Sequence, residues 1–148
     1  MSLLQSLRLS AVEQALVAMR RAAGGGRLPH HLEMGERGEE AALFHLRHEG
    51  YVVVARRWKN VKQPGDLDLV AWEGDTLCFI EVKTRGGRDV ATAESAVDED
   101  KRQVLRRLAR LYLKAIEPAP TSVRFDLVSI YFDGGRQDSM LFRGAFDW

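Results

Sequence analysis

Two apolar-rich runs, residues 67–72 (LDLVAW) and 77–83 (LCFIEVK), flank the tetrapeptide Glu73-Gly74-Asp75-Thr76. Strand-forming residues on either side of a short Gly-containing turn specify an antiparallel hairpin. The turn also fixes the register. Trp72 pairs with Leu77, Asp68 falls across from Glu81, and Asp66 falls across from Lys83. A tighter turn at Gly74-Asp75 gives the same partners. Side chains alternate faces along a strand, so Glu81 and Lys83 share a face opposite Ile80 and Val82. Asp66 and Asp68 share one opposite Leu67 and Leu69.

Directly opposed residues in such a ladder have Cβ atoms ~4.5–5.5 Å apart, where like charges destabilise the sheet. Asp66 with Lys83 is a favourable pair. Asp68 with Glu81 is not, and two facing carboxylates require a shared proton or a bound cation. Oxygen ligands at this separation suit Mg²⁺ or Mn²⁺, which take one or two carboxylates and leave positions for water and phosphate. Lys83 is placed to hold an attacking water and to offset charge in a phosphoryl transition state. The residues alone thus suggest a phosphodiester-cleaving centre, provided no bulge breaks the register.

Two helices add candidates. Residues 35–49 read as a helix ended by Gly50. On a wheel of ~100° per residue, Glu39 lies amid the apolar positions Ala42, Leu43 and Leu46. An acid there either caps the helix start or is a further carboxylate aimed at the metal. Asp98 to Ile116 reads as a second helix, closed by Pro118 and Pro120, with Val104, Leu105, Leu108, Leu111, Tyr112 and Ala115 on its apolar face. Lys101 shares that face and either reaches the site or a substrate phosphate, or snorkels. Arg102, Arg106, Arg107, Arg110 and Lys114 occupy the other face. With Arg56-Arg57-Trp58-Lys59 and Lys62 they form local basic segments suited to a polyanion. Arg85 and Arg88 flank Gly86-Gly87 and are placed to meet a backbone phosphate.

The remaining strands are Tyr51 to Ala55, Val123 to Phe132, and a short one from Met140 to Phe142, with Asn60 to Gly65 as loop. The order helix, three strands, helix, two strands gives an α/β domain with a mixed sheet flanked by helices. Residues 3–20 carry Leu9, Val12, Leu16 and Met19 at helical spacing before Gly24-Gly25-Gly26. This is a separate amphipathic helix for dimerisation or docking, or a loosely packed extension. The expected organisation is therefore residues 1–33 as helix and linker and 34–148 as the main domain.

Composition constrains the remaining classes. Twenty-two Lys and Arg balance 21 Asp and Glu, so any basic surface is local rather than global. A single cysteine, Cys78, excludes an internal disulfide and a multi-cysteine zinc site, and its apolar neighbours make it a buried inert thiol. No apolar run nears the ~20 residues that span a bilayer. Without a signal-peptide pattern, the expected address is the cytoplasm. His45 and His48 face away from Glu39 and read as surface residues.

The ordered set Gly65-Asp66-Leu67-Asp68-Leu69-Val70, then Phe79-Ile80-Glu81-Val82-Lys83-Thr84-Arg85, resembles the signature of the PD-(D/E)xK nuclease superfamily. More closely, the chain resembles the YraN-like family of bacteria, which is similar to archaeal Holliday-junction resolvases. Gly35, Gly38-Glu39, Ala42, Gly50-Tyr51, Lys101, Arg124-Phe125-Asp126 and Ala145-Phe146 extend the match over roughly residues 34–148. The resemblance implies a restriction-endonuclease-like mixed sheet flanked by helices. It implies Asp68 and Glu81 as Mg²⁺ or Mn²⁺ ligands, Lys83 as the catalytic lysine, Glu39 as the helix carboxylate completing the site, and Lys101 as a residue near substrate. The family usually has Glu where this chain has Asp66, which leaves that position without a clear metal role. The expected activity is hydrolysis of DNA phosphodiester bonds, branched DNA among the candidate substrates, with Arg85, Arg88, Arg102 and Arg106 as nucleic-acid contacts. The alternatives are a nucleic-acid-binding module that does not cut, and an interaction or dimer-forming domain that uses residues 3–20.

Overall fold

A computed structural model describes residues 30–86 and 97–148. The expected helix over residues 3–20, the linker glycines and Arg88 lie outside them. Met34–Trp148 forms one compact unit. The described elements are α1 (His30–His48), β1 (Val52–Asn60), β2 (Gln63–Glu73), β3 (Thr76–Gly86), α2 (Glu99–Lys114), β4 (Ser122–Asp133) and β5 (Arg136–Phe146). The strands form one mixed sheet in the order β1-β2-β3-β4-β5. Only β3 and β4 run parallel, joined through α2; the other pairs are antiparallel.

Helix α1 ends where Gly50 adopts a φ of 90°. Gly50 N–H then donates to Arg47 C=O (3.0 Å) and Tyr51 N–H to Leu46 C=O (2.9 Å), the nested pair that a left-handed glycine permits. At the start of α2, the Asp98 side chain accepts from Lys101 N–H at 2.9 Å, satisfying an amide the helix leaves unpaired.

Each face of the sheet carries one helix. Leu105, Leu108, Ala109 and Tyr112 of α2 pack on Val70, Leu77, Phe79, Phe125 and Leu127. Ala41, Ala42 and Leu46 of α1 pack on Leu69, Ala71, Cys78, Ile80, Val128 and Ile130. Odd and even positions of β3 serve different helices, as alternation requires. This is the mixed sheet flanked by helices that the sequence specifies. Cys78 is buried, as expected, and desolvation pushes its thiol up to about 12.

Three expectations need correction. Asn60 to Gly65 is not a loop: β1 continues through Arg56-Arg57-Trp58-Lys59 and turns directly into β2. Pro64 is tolerated inside β2 because the ladder with β3 reaches only to Leu69, so no β3 partner needs the missing N–H. The final strand is long rather than short. Its polar first half (Arg136, Gln137, Asp138, Ser139) gives no apolar signal because it runs exposed along the sheet edge.

The third correction shapes the site. Leu67 and Leu69 do not share a face: Leu67 packs under α2 and Leu69 under α1. Its partner strand reverses at the same level, since Ala55 and Trp58 both face α2. Between them Arg57 has a φ of 46°. One left-handed residue flips the alternation of β1, and β2, paired to it at Arg56↔Leu69 and Trp58↔Leu67, follows. Gly65 next in line has a φ of 102°, and a Cβ there would lie 3.2 Å from Val104 Cγ1. Gly65→Ala should therefore lower stability by about 1–3 kcal/mol, read as an earlier midpoint in urea unfolding.

Candidate functional site

The hairpin register read from the turn holds from Glu73↔Thr76 to Leu69↔Ile80, where the ladder stops. Beyond it β3 stays paired to β4 as far as Gly86. The β2–β3 seam thus opens after Ile80. Asp68 is not a ladder partner of Glu81, as the simple alternation had it. Its Oδ2 instead accepts from Val82 N–H at 2.9 Å, so the carboxylate caps the open end of the seam. Asp66 and Lys83 do not pair either. Lys83 Nζ lies 3.8 Å from Glu81 Oε1, and Lys101 Nζ from α2 lies at the same distance. Lys101 is thus on the inward side of α2, as its wheel position indicates.

Glu81 is 5% exposed, and its Oε2 is buried with no hydrogen-bond partner. Burial pushes its carboxyl up to about 8, the Asp68 charge adds to the rise, and Lys101 and Lys83 oppose it. Asp68 is also raised, first by burial, against the pull of the Val82 N–H and with Asp66 and Glu39 adding their charge. Without a cation, burial and the mutual charge of the pair favour retention of a proton. That is one of the two resolutions open to facing carboxylates. The other is a divalent cation, and the donor set fits one: two hard oxygen groups, one of them with an orphaned atom.

The charge of Glu39 acts on Asp68, but its side chain is engaged elsewhere. Its Oε2 accepts from Arg57 Nε at 2.6 Å, and Arg57 also approaches Glu36 (3.9 Å). The buried-face acid that the wheel singles out therefore has an arginine for a partner rather than a helix-capping role. Among the described residues, no three Asp, Glu, His or Cys side chains are gathered as a metal cage.

The other sequence-derived candidates divide. Arg85 stands two residues beyond Lys83 on the same strand, with its Nε buried and unpartnered. Arg102 donates to Val97 C=O (2.9 Å) and lies over the Phe146 ring. Arg106 donates to Asp147 C=O and to Glu99 (both 2.8 Å). Both arginines tie α2 to neighbouring chain. Arg57 was visible only as one member of a basic run, and nothing in the sequence marks its left-handed backbone or its hold on Glu39. No helix among the described residues is long and apolar enough to cross a membrane.

Comparison with known proteins places these residues in a wider set. A UPF0102 protein of Koribacter versatilis is 50% identical over 80% of this chain and 82% of its own length. Those of Solibacter usitatus and Symbiobacterium thermophilum are 43% and 42% identical, covering 76% of this chain and 84% and 95% of theirs. Residues 38–130, which include Glu39, Asp68, Glu81, Lys83 and Lys101, match the model of the uncharacterised protein family UPF0102. The chain belongs to that family, the YraN-like group of restriction-endonuclease-like type whose pattern its sequence resembles.

Proposed function

We propose that this chain is a divalent-cation-dependent nuclease that hydrolyses DNA phosphodiester bonds, with Asp68 and Glu81 as the carboxylate ligands. One observation carries this reading: Glu81 is buried with an orphaned oxygen, within the influence of the Asp68 charge, a costly arrangement that a bound Mg²⁺ or Mn²⁺ relieves. Such a cation supplies positive charge against the phosphoryl oxygens as negative charge grows there. The chain's own residues do the rest. Glu81 Oε1 holds the Lys83 ammonium, which orients the attacking water and offsets charge on phosphorus. Lys101, held on the same oxygen, receives the adjacent phosphate. Arg85 offers a further donor along the strand, and exposed Arg107 and Arg110 extend the positive face of α2.

A cleavage screen over branched and linear DNA and RNA, with Mg²⁺ and with Mn²⁺, tests the reading. A cation-dependent product is expected, and Lys83→Ala should reduce its rate by about 10²–10³-fold with the fold retained by circular dichroism. Equal cleavage by Lys83→Ala refutes the role of the lysine. Salt-dependent binding with no product from any substrate favours a module that binds without cutting.

A further inference from the structure

We propose that Arg57 is a positioning residue that withholds Glu39 from the cation centre, and that the centre is completed when a cation replaces Arg57 on Glu39. The inference rests on the reading of Asp68 and Glu81 as cation ligands, and goes beyond it by assigning a function to a residue outside that pair.

Arg57 is the only non-glycine with a positive φ among the described residues, at 46°. The fold needs a left-handed residue here, because the reversal of β1 and β2 at this level frees Asp68 from the ladder. Glycine or asparagine meets that need with less steric conflict than arginine. What arginine adds is its guanidinium. That group makes a short charge-assisted bond to Glu39 (2.6 Å), approaches Glu36 (3.9 Å), and is influenced by the charge of Asp66. Glu39 and Asp66 in turn act on Asp68. One cation of the chain's own therefore sits among three carboxylates, Glu36, Glu39 and Asp66, the last two of which act on the pair whose Glu81 Oε2 has no partner.

This explains why the described residues gather no third acidic ligand although Glu39 is at hand. Held by Arg57 at Oε2, Glu39 contributes charge while the guanidinium sets the direction of its carboxylate. Arg57 is 37% exposed on its side chain, so it can swing to solvent without disturbing the core. The cation and the guanidinium compete for the same carboxylate, and turning Glu39 to the centre costs its short bond to the arginine.

A double-mutant cycle on Mn²⁺ affinity isolates this coupling. Calorimetry and Mn²⁺ electron paramagnetic resonance would be run on the wild type, Glu39→Gln, Arg57→Asn and the double variant. With Arg57 present, Glu39→Gln should change the dissociation constant by less than about twofold. Arg57→Asn should tighten binding about tenfold, and adding Glu39→Gln in that background should weaken it about tenfold again, a coupling of the size seen between contacting groups. If Arg57 acts only as a nearby positive charge, Glu39→Gln costs the same in both backgrounds, and the inference fails. Arg57→Gly is a second probe of the same step, should asparagine itself bond to Glu39. Glu81→Gln separates this inference from its premise. If it leaves Mn²⁺ binding intact, or if no variant binds at all, the centre itself is misassigned. If it abolishes binding while the cycle is additive, the centre stands and only the role of Arg57 falls.

Discussion

Glu81→Gln should abolish divalent-cation binding and cleavage while making the cation-free protein more stable. The two effects share one cause. In the unfolded chain Glu81 titrates near 4.5, whereas in the folded protein burial and then Asp68 hold it up to about 8. Below pH 4.5 both states carry the proton and the group has no effect on stability. Between the two values the unfolded chain releases the proton and the folded chain keeps it, so stability falls as pH rises. Above about 8 the loss is complete. Linkage sets this at up to ~1.4 kcal/mol per pH unit across the window. With relaxation, about 2–3 kcal/mol at pH 8 is the expected size. Glutamine keeps the shape without the charge, so thermal melts of wild type and variant should coincide near pH 4. At pH 8 in a chelator they should separate by roughly 5–10 °C, the variant melting higher. Mg²⁺ or Mn²⁺ should then raise the melting temperature of the wild type alone, and cleavage by the variant should fall by at least ~10³-fold. A variant no more stable at pH 8 than at pH 4, relative to wild type, would mean that Glu81 is not a strained carboxyl.

Much of this site could be read from the order of residues, because it depends on local rules. The turn at residues 73–76 set the register of the hairpin, and five ladder pairs obey it. Helical periodicity placed Glu39 and Lys101 on inward faces. What escaped depends on backbone geometry and on contacts distant in sequence. Alternation predicted that Asp68 would stay in the ladder, but the left-handed Arg57 in the neighbouring strand turns it out, and an arginine carries no signal for that conformation. The basic face of α2 looked uniform on a wheel. Arg102 and Arg106 are distinguished from Arg107 and Arg110 by the C-terminal segment that returns beside them, 41 positions away in the case of Arg106 and Asp147. The exposed half of the edge strand β5 has no apolar alternation to detect.

The same separation in sequence hides the interaction whose loss should damage the fold most. Asp126 is fully buried on the α1 face of the sheet. It accepts from Tyr51 Oη (2.8 Å), Arg124 Nε (2.7 Å) and Gly144 N–H (2.9 Å). Arg124 also donates to Tyr51 Oη at 3.0 Å and to Glu73 at 2.9 Å, and Arg143 joins the same glutamate at 2.7 Å. One carboxylate thereby links the entry to β1, the middle of β4 and the irregular turn of β5 at Gly144. The Tyr51 hydroxyl and the Gly144 amide both donate to it. Asp126→Ala leaves the Tyr51 hydroxyl and the Gly144 amide without their acceptor, and robs the Arg124 guanidinium of its buried counter-charge. Breaking a buried pair from one side costs about 3–5 kcal/mol, enough to unfold a domain of ordinary marginal stability in part at 37 °C. Asp126→Asn keeps one acceptor but turns an amide toward Arg124, so an intermediate loss of about 2 kcal/mol is expected. Tyr51→Phe removes one donor to Asp126 and one acceptor of Arg124, both of which keep other partners, and should cost about 1 kcal/mol. Urea unfolding of the three variants should rank them in that order. Because the network lies on the face opposite Glu81 and Lys83, the folded fraction of Tyr51→Phe should bind Mn²⁺ as the wild type does. A ranking with Tyr51→Phe as damaging as Asp126→Ala would mean that the hydroxyl, and not the carboxylate, is the centre on which these three strands depend.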